Sequence, residues 1–347
     1  MRVLVTGHEG YPGAVLCPLL VARGHEVQGL DVGNFSDYDS LPIEGSLPGR
    51  RRDIRDLAAG ELAGFDAVVH LAALSNDPMG PLDPRLTAEI NHRGSARLAE
   101  LARAAGVTRF VFSSSCSTYG AAGDRALDET AAFNPVSAYA VSKVASEQDI
   151  AKLARDDFSP TFFRNATAYG VLPRMRADLV VDNFVGWAVT TGEIRILSDG
   201  TPWRPVVHIR DIAAAIAATL AVPRERVHNA AYNVGRDEDN YQVREIAEIV
   251  RSVVPGSRIV YAGTGEPDKR TYRVDLGKIR RELPEFQPAW DVRRGAAEIY
   301  EAFQRCRLDR ALFEERHLVR LAQLRYLLDS ALVTPDLRWC NGSAAPS

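Results

Sequence analysis

The stretch Arg2-Val3-Leu4-Val5-Thr6-Gly7-His8-Glu9-Gly10-Tyr11-Pro12-Gly13 decides the fold of this chain. After an apolar strand, Gly7 permits a tight turn, Gly10 lets the backbone approach a pyrophosphate, and Gly13 allows a helix to pack closely on the strand. The N-terminus of that helix favours bound phosphate. A lone glycine triplet is often just a turn, but this one has a strand before it and helical periodicity after it. The stretch predicts a dinucleotide site, with Tyr11 and Pro12 inside the binding loop.

Apolar strands alternate with amphipathic helices through the first half of the chain, which is typical of a parallel sheet covered on both faces. Beyond about residue 170 the order loosens into a mixture of short helices and strands. We therefore predict an α/β protein with a Rossmann doubly wound parallel sheet and a smaller, discontinuous α/β substrate lobe. Candidate strands are 2–6, 26–31, 66–72, 109–115 and 161–168, and candidate helices are 12–23, 85–105 and 138–155.

This pattern divides the chain into three units. The dinucleotide-binding Rossmann domain takes residues 1–165, with a later contribution from about 205–235. The substrate-binding lobe takes 166–204 and 236–305. Residues 306–347 form a C-terminal helical extension, rich in Arg and Leu, and a tail.

Asp31 stands at the end of the second predicted strand, in Leu30-Asp31-Val32-Gly33. A carboxylate at this point lies where the ribose hydroxyls of the adenosine should be, and it would repel a 2′-phosphate. NAD is therefore favoured over NADP as the cofactor. Without the glycine loop, an ordinary strand-end Asp that caps a turn would be the better interpretation.

Tyr139 and Lys143 are four residues apart in the third predicted helix. Side chains at this spacing share one helix face, so the ammonium of Lys143 can lie beside the Tyr139 phenol and favour its ionised form. A phenolate is a competent base for an alcohol. When it occurs alone, such a pair is most often an incidental surface pair. Together with the dinucleotide loop, it predicts dehydrogenase chemistry.

The composition is typical of a globular protein: of 347 residues, 46% are hydrophobic and 25% are charged, and the net charge is −3. The short run Arg50-Arg51-Arg52 is too small to indicate a basic surface that binds nucleic acid or an anionic membrane. The chain begins at once with a strand and has no apolar run that could span a bilayer, so we expect a cytoplasmic protein. Its four scattered cysteines lack metal-ligand spacing, and we expect reduced thiols and no metal site.

Further motifs follow in order along residues 1–300. They are Arg52-Asp53-Ile54-Arg55-Asp56, His70-Leu71-Ala72-Ala73, Asn91 with Gly94, Phe112-Ser113-Ser114-Ser115-Cys116-Ser117-Thr118-Tyr119-Gly120, the Tyr139/Lys143 pair and Trp203-Arg204-Pro205-Val206-Val207-His208-Ile209-Arg210-Asp211. With these motifs the chain closely resembles the extended short-chain dehydrogenase/reductases, and among them the NAD-dependent sugar-nucleotide epimerase/dehydratase family. Taken in order, the motifs are highly specific.

The resemblance implies roles for several of these residues. Ser115, four before Tyr119, matches the catalytic Ser/Thr of the family, and a hydroxyl there can hydrogen-bond the reacting sugar oxygen beside the Tyr139 phenolate. In the family, Lys143 also hydrogen-bonds the nicotinamide ribose. The other implied cofactor contacts are Asp53 and Ile54 at the adenine, Leu71, Ala72 and Ala73 along the cleft, Asn91 near the cofactor, and Ser113.

The two positions after Ser115 narrow the chemistry. Family dehydratases carry Asp and Glu there, whereas this chain has Cys116 and Ser117, so water elimination is disfavoured. Family decarboxylases that form UDP-xylose keep a Glu at the second position, so that reaction is disfavoured too. The UDP-galactose 4-epimerase type of site needs only the Ser, Tyr and Lys. The resemblance therefore implies an epimerase that transiently oxidises a sugar hydroxyl and returns the hydride to the other face.

Other functions stay open. A nucleotide-sugar ketoreductase or dehydrogenase would use the same Tyr139 and Lys143 and release its cofactor at each turnover, and the sequence does not separate it from an epimerase. A dehydratase on the same site is disfavoured. A non-catalytic NAD-sensing regulator would usually lack the Tyr or the Lys, and both are present.

The resemblance also implies a nucleotide-sugar substrate. Arg204 matches the arginine that family members place on the nucleotide diphosphate, although a surface ion-pair arginine is the alternative. Asn183 matches a substrate-contacting Asn, and a capping role is equally consistent. A second phosphate arginine of the family is replaced by Gly265, for which Arg270 or Arg273 can substitute. The predicted substrate set is Ser75, Thr167, Asn183, Arg204 and Arg270.

Assembly follows from the same resemblance. Relatives dimerise through the helices that precede and carry the Tyr/Lys pair, and the corresponding stretches here are 89–105 and 139–155. These stretches carry apolar residues such as Leu98, Leu101 and Ile150, some of which face the sheet. We expect a homodimer.

Overall fold

The computed structural model describes residues 1–36, 47, 49–75, 83–121, 125–172, 174–263 and 271–340. The predicted substrate residue Arg270 lies outside these ranges. Along the described chain the strands are β1 (Arg2–Thr6), β2 (Glu26–Asp31), β3 (Gly49–Arg51), β4 (Ala67–His70), β5 (Arg109–Ser115), β6 (Ala126–Leu127), β7 (Ser159–Asn165), β8 (Thr167–Tyr169), β9 (Glu193–Ile196), β10 (Trp203–His208), β11 (Ala230–Val234), β12 (Asn240–Gln242), β13 (Arg258–Tyr261) and β14 (Arg273–Val274). The α-helices are α1 (Gly13–Ala22), α2 (Pro84–Thr87), α3 (Gly94–Ala104), α4 (Ala138–Ala151), α5 (Val180–Thr191), α6 (Ile209–Ala221), α7 (Val243–Val253), α8 (Gly277–Glu282), α9 (Val292–Arg305), α10 (Arg310–Phe313) and α11 (Arg320–Asp329).

The central sheet has seven strands in the order β11-β7-β5-β4-β1-β2-β3, and every neighbouring pair is parallel. Thr6, the last residue of β1, pairs with Leu30 on one side and with His70 on the other. The carboxyl ends of these strands therefore meet at one edge, where the strand order reverses and ligands bind in such sheets. The predicted doubly wound parallel fold is confirmed.

Several predicted elements differ in detail from the structure. The predicted strand 161–168 splits after Asn165, because β8 leaves the central sheet and pairs with β10. The predicted helix 85–105 contains a π-helical segment, Ala88–Arg93, between α2 and α3. The short strand β3 and the helix α9 were not predicted. A three-residue edge strand is too short to show an alternating pattern.

The second lobe has its own apolar core. Helices α5, α7 and α9 pack together, and the small sheets β12-β10-β8 and β13-β9 lie beside them. Strand β11, in contrast, belongs to the central sheet, where it pairs with β7. Helix α6 packs on helix α1, which covers that sheet. The division of the chain into the three predicted units stays a prediction. Core residues of the second lobe include Val181, Val185, Ile246, Val250 and Ile299.

The C-terminal extension packs back onto the first strands of the chain. Leu324 and Leu337 share an apolar cluster with Leu74, which follows β4. The indole Nε1 of Trp339 donates a hydrogen bond of 2.7 Å to the carbonyl of Val32, just beyond β2. The extension therefore covers the carboxyl edge of the central sheet.

None of the helices in the described ranges is long and apolar enough to cross a membrane. Among the same residues, no group of three or more His, Cys, Asp or Glu side chains is arranged to hold a metal ion. The cytoplasmic location stays a prediction.

Candidate active site

A cavity of about 270 Å³ lies at the carboxyl edge of the central sheet. It extends from the glycine loop and the end of β2 to the end of β5 and the first turn of α4. Predicted site residues from distant parts of the sequence line it together: Gly7, Gly10, Tyr11, Pro12, Asp31, Asp53, Ile54, Leu71, Ala72, Ala73, Ser75, Ser113, Ser115, Tyr139, Lys143 and Thr167. A cavity that combines apolar and polar lining residues at such an edge is a typical cofactor and substrate site.

The glycine loop has the geometry that its sequence predicts. Gly7 has a φ of +74°, which favours glycine, and a Cβ there would lie 2.7 Å from the backbone nitrogen of Ala72. A Cβ on Gly13 would overlap the carbonyl oxygen of Gly7, so this glycine serves packing and does not line the cavity. Gly10 lines the cavity, where its missing side chain leaves the backbone accessible. The loop and the start of α1 therefore fit a dinucleotide diphosphate.

Asp31 is held at the cavity wall by two backbone amides. Its carboxylate accepts hydrogen bonds from Gly33 N at 2.9 Å and from Glu9 N at 3.2 Å. Burial raises the pKa of this carboxyl, and the nearby Glu9 carboxylate raises it further. The fixed carboxylate suits a pair of ribose hydroxyls, which donate hydrogen bonds to it.

Helix α4 places Tyr139 and Lys143 at the opposite end of the cavity. The helix begins at a Ser137 cap, whose Oγ accepts from Ala140 N at 3.1 Å. Lys143 is only 3% exposed; its Nζ lies 5.7 Å from the centre of the Tyr139 ring and donates to the Ser113 carbonyl at 2.6 Å. Burial lowers the pKa of Lys143 to about 8, although Glu147 opposes the shift. The pair therefore shares one helix face inside the cavity, as the sequence predicts.

A buried polar network fixes α4 against the sheet. Glu147, one turn after Lys143, accepts hydrogen bonds from Ser114 Oγ and from the Arg164 guanidinium, the latter at 2.8 Å. Arg164 also donates to Tyr119 Oη at 3.0 Å. The network joins β5, β7 and α4, so it holds the Tyr/Lys helix in register with Ser115.

Asn91 supports the wall of the cavity from behind. It lies in the π-helical segment, is 1% exposed, and does not line the cavity. Its side chain accepts from Leu74 N at 2.7 Å and donates to Leu74 O at 3.1 Å and to Ser142 Oγ at 3.3 Å. The extra residue of a π-helical turn places the Asn91 amide where it hydrogen-bonds both backbone groups of Leu74, after β4. A contact between Asn91 and the cofactor stays a prediction.

The predicted substrate residues separate into two groups. Ser75 and Thr167 line the cavity. Asn183 does not: its amide donates to the Ala177 carbonyl at 2.7 Å, which holds the segment before α5. Arg204 also lies outside the cavity, is 8% exposed and donates to the Trp203 carbonyl at 2.8 Å. Substrate contacts for these four residues stay predictions.

Comparisons with known proteins agree with this geometry. Residues 3–235 match the model of the NAD dependent epimerase/dehydratase family. The chain belongs to this family. It is 30% identical over 326 residues to a UDP-glucose 4-epimerase of Mycolicibacterium smegmatis, and the match covers 88% of this chain and 99% of that protein.

Solved structures of other proteins also match 88% of this chain. MoeE5 in complex with UDP-glucose and NAD has 30% identity and a TM-score of 0.73, over 88% of this chain and 99% of that chain. TunA, a NAD dependent NDP-hexosamine 5,6-dehydratase, has 25% identity and a TM-score of 0.77, over 88% and 98%. The protein is therefore an enzyme of the NAD-dependent epimerase/dehydratase family, and its cofactor is NAD. Because epimerases and dehydratases both match, family membership alone does not choose the reaction.

Of the two residues that follow Ser115, Ser117 lines the cavity and Cys116 does not. Cys116 is fully buried, donates to the Arg164 carbonyl at 3.1 Å and does not line the cavity. Burial raises the pKa of its thiol well above the usual range, so the thiol stays protonated. Ser117 lines the cavity with a neutral hydroxyl.

The cavity is also lined by residues outside the quoted motifs, among them Arg176, Arg320 and Leu337. Arg176, between β8 and α5, is 6% exposed, although an arginine in a charged loop is ordinarily solvated. Arg320 opens α11, is 6% exposed, and lies in the cavity with Leu337. A local pattern does not reveal contacts between the last helix of a chain and its first strands.

Proposed function

We propose that this protein is a NAD-dependent nucleotide-sugar epimerase. The 30% identity to a UDP-glucose 4-epimerase along 99% of that protein supports the reaction class. The complex of MoeE5 with UDP-glucose supports a nucleotide sugar as the substrate. Ser115, Tyr139 and Lys143 are the proposed catalytic residues, because they meet in one cavity with the glycine loop.

The choice of epimerisation over elimination of water rests on where the acidic residues lie around the cavity. Among the described lining residues, the carboxylates are Asp31 and Asp53, which lie at the end of β2 and just after β3. Asp53 is paired with Arg55 at 2.6 Å. At the end of β5 and directly after it, the lining residues Ser115 and Ser117 are neutral. Elimination of water needs an acid and a base beside the reacting carbons, whereas epimerisation needs one proton acceptor.

Tyr139 is the proton acceptor in the proposed reaction. The ammonium of Lys143 lies beside its ring and favours the phenolate over the phenol. Ser115 donates a hydrogen bond to the reacting sugar oxygen and holds it towards the phenolate. Bound NAD would take up a hydride from the sugar carbon and, after the keto sugar has turned over in the cavity, would supply it to the opposite face of that carbon. Tyr139 then returns its proton to the same oxygen, so the product is an isomer of the substrate.

A screen of nucleotide sugars without added coenzyme tests the proposal. We expect a product of unchanged mass and inverted configuration at one carbon, identified by mass spectrometry and NMR. Tyr139→Phe should abolish its formation, and Tyr261→Phe, which changes a tyrosine that is 55% exposed, should not. Loss of one water from the product would favour a dehydratase. A gain of two hydrogens with stoichiometric consumption of NADH would favour a ketoreductase.

We also propose a homodimer. Leu98 and Ile150 are fully buried in the core beneath α3 and α4, so they do not form a dimer surface. Val141, on α4, is 52% exposed and is a better candidate. Light scattering at micromolar concentration should give twice the mass of the chain, and a monomer would contradict the assignment.

A further inference from the structure

Two buried arginines enter the cavity from parts of the chain that the motifs do not connect. Arg176 comes from the loop before α5, and Arg320 from the first turn of α11. Each is 6% exposed. Arg320 also lies beyond residues 3–235, which the family model matches. A buried guanidinium is costly unless an anion or a set of acceptors compensates its charge.

The two arginines differ in how their charge is compensated. Arg176 forms an ion pair with Asp178 at 2.8 Å and donates to Ser75 Oγ at 3.4 Å. Arg320 donates to the Arg174 carbonyl at 3.3 Å, and its guanidinium lies 4.2 Å from the centre of the Phe35 ring. In the described part of the chain, no carboxylate lies within ion-pair distance of Arg320. Burial and the neighbouring Arg176 lower its pKa to about 9, although the Asp178 carboxylate opposes the shift, so at neutral pH Arg320 is a buried cation that no carboxylate contacts directly in the described part of the chain.

The position of this cation is fixed by the glycine loop. Arg174 Nη1 donates to the Glu9 carbonyl at 2.8 Å, within the loop. The guanidinium of Arg176 lies 5.9 Å from the centre of the Tyr11 ring, one residue beyond Gly10. Because Arg320 is bonded to the Arg174 carbonyl and Arg174 is bonded to Glu9, Arg320 lies close to the glycine loop. The loop amides and the start of α1 already favour an anion there.

We propose that Arg320, assisted by Arg176, binds the diphosphate of the dinucleotide beside the glycine loop. The C-terminal extension holds Arg320 in place, since Gln323 donates to the Asn34 carbonyl at 3.1 Å and Trp339 to the Val32 carbonyl at 2.7 Å. A planar guanidinium suits two phosphate oxygens, and the diphosphate supplies the missing negative charge. The extension is thus part of the cofactor site. This role does not depend on which sugar reaction the enzyme catalyses.

Binding of cofactor fragments tests the role of Arg320. Isothermal titration calorimetry of the full-length protein with ADP, adenosine and UDP separates the diphosphate from the base and ribose. Arg320→Met should weaken ADP about tenfold or more, the usual loss for a charge-assisted hydrogen bond, and leave adenosine unchanged. Arg325→Met, an exposed arginine on the same helix, is the matched control and should change neither.

Three results would overturn the assignment. They are an ADP affinity that Arg320→Met leaves unchanged, an equal loss for adenosine and ADP, and a loss for UDP alone, which would place Arg320 on the substrate diphosphate. Thermal unfolding adds a readout that does not depend on calorimetry. Without cofactor, Arg320→Met should melt at or above the temperature of the wild type, because an uncompensated charge is removed. ADP should raise the melting temperature of the wild type more than that of the variant, and an equal rise would contradict the proposal.

Discussion

Replacing Lys143 by Met should stabilise the cofactor-free protein while it abolishes turnover. Burial lowers the pKa of Lys143 from 10.5 to about 8, so keeping the ammonium charged in the folded protein costs about 3 kcal/mol. Met has a similar length and no charge. The Ser113 carbonyl loses its donor at 2.6 Å, which costs about 1 kcal/mol. The net expectation at pH 7 is a free energy of unfolding about 2 kcal/mol above that of the wild type.

The effect should depend on pH with a defined sign. Below about pH 8 Lys143 is charged in both the folded and the unfolded protein, so the full cost is present. Between pH 8 and 10.5 the folded protein releases the proton first, and the cost declines. At pH 10 it should be about 1 kcal/mol, and the stability advantage of Lys143→Met should have disappeared.

Urea unfolding of the full-length, cofactor-free protein at pH 7 and pH 10 measures both quantities. Lys152→Met is the matched control, because this lysine follows the same helix and its side chain is 73% exposed. The control should stay within about 0.5 kcal/mol of the wild type at both pH values. A Lys143→Met variant that is less stable than the wild type by the same amount at both pH values would refute the reasoning.

Three further changes have defined outcomes. Tyr139→Phe should lower turnover at least about a hundredfold and leave NAD affinity and the melting temperature unchanged, measured by calorimetry and thermal unfolding; near-normal turnover would remove Tyr139 from the mechanism. Asp31→Ala should raise the affinity ratio of NADP to NAD about tenfold, because a fixed carboxylate no longer repels a 2′-phosphate; parallel titrations decide this, and an unchanged ratio would contradict it. Gly7→Ala should destabilise the protein and abolish NAD binding, since its Cβ would lie 2.7 Å from Ala72 N; binding at wild-type affinity would show that the loop tolerates a side chain.

Local patterns were sufficient to predict the parts of the fold that repeat along the chain. The alternation of strand and helix gave β1, β2, β4, β5 and the helices between them nearly to their observed bounds, because each element buries one face on its neighbour in sequence. The glycine loop and the Tyr/Lys pair are likewise local. Their spacing within one turn or one helix face determines the geometry without reference to the rest of the molecule.

What the sequence did not reveal depends on contacts between distant segments. Arg320 enters the cavity only because α11 docks beside β2, and no periodicity in the sequence records that docking. Motif matches also identify a position without its orientation. The side-chain amide of Asn91 hydrogen-bonds the backbone of Leu74 and does not line the cavity. The side-chain amide of Asn183 likewise hydrogen-bonds the backbone of Ala177.

The hydrogen bond from Trp339 to Val32 joins residues 307 positions apart. The extension can therefore dock only after almost the whole chain has been synthesised. Closing so long a loop is entropically costly, and a growing chain folds from its N-terminus. The central sheet through β11 is complete once residue 234 has been made, about a hundred residues before Trp339 emerges. We expect the nucleotide cleft to stand open during that interval. A nascent molecule can therefore present its glycine loop before the extension reaches the cleft.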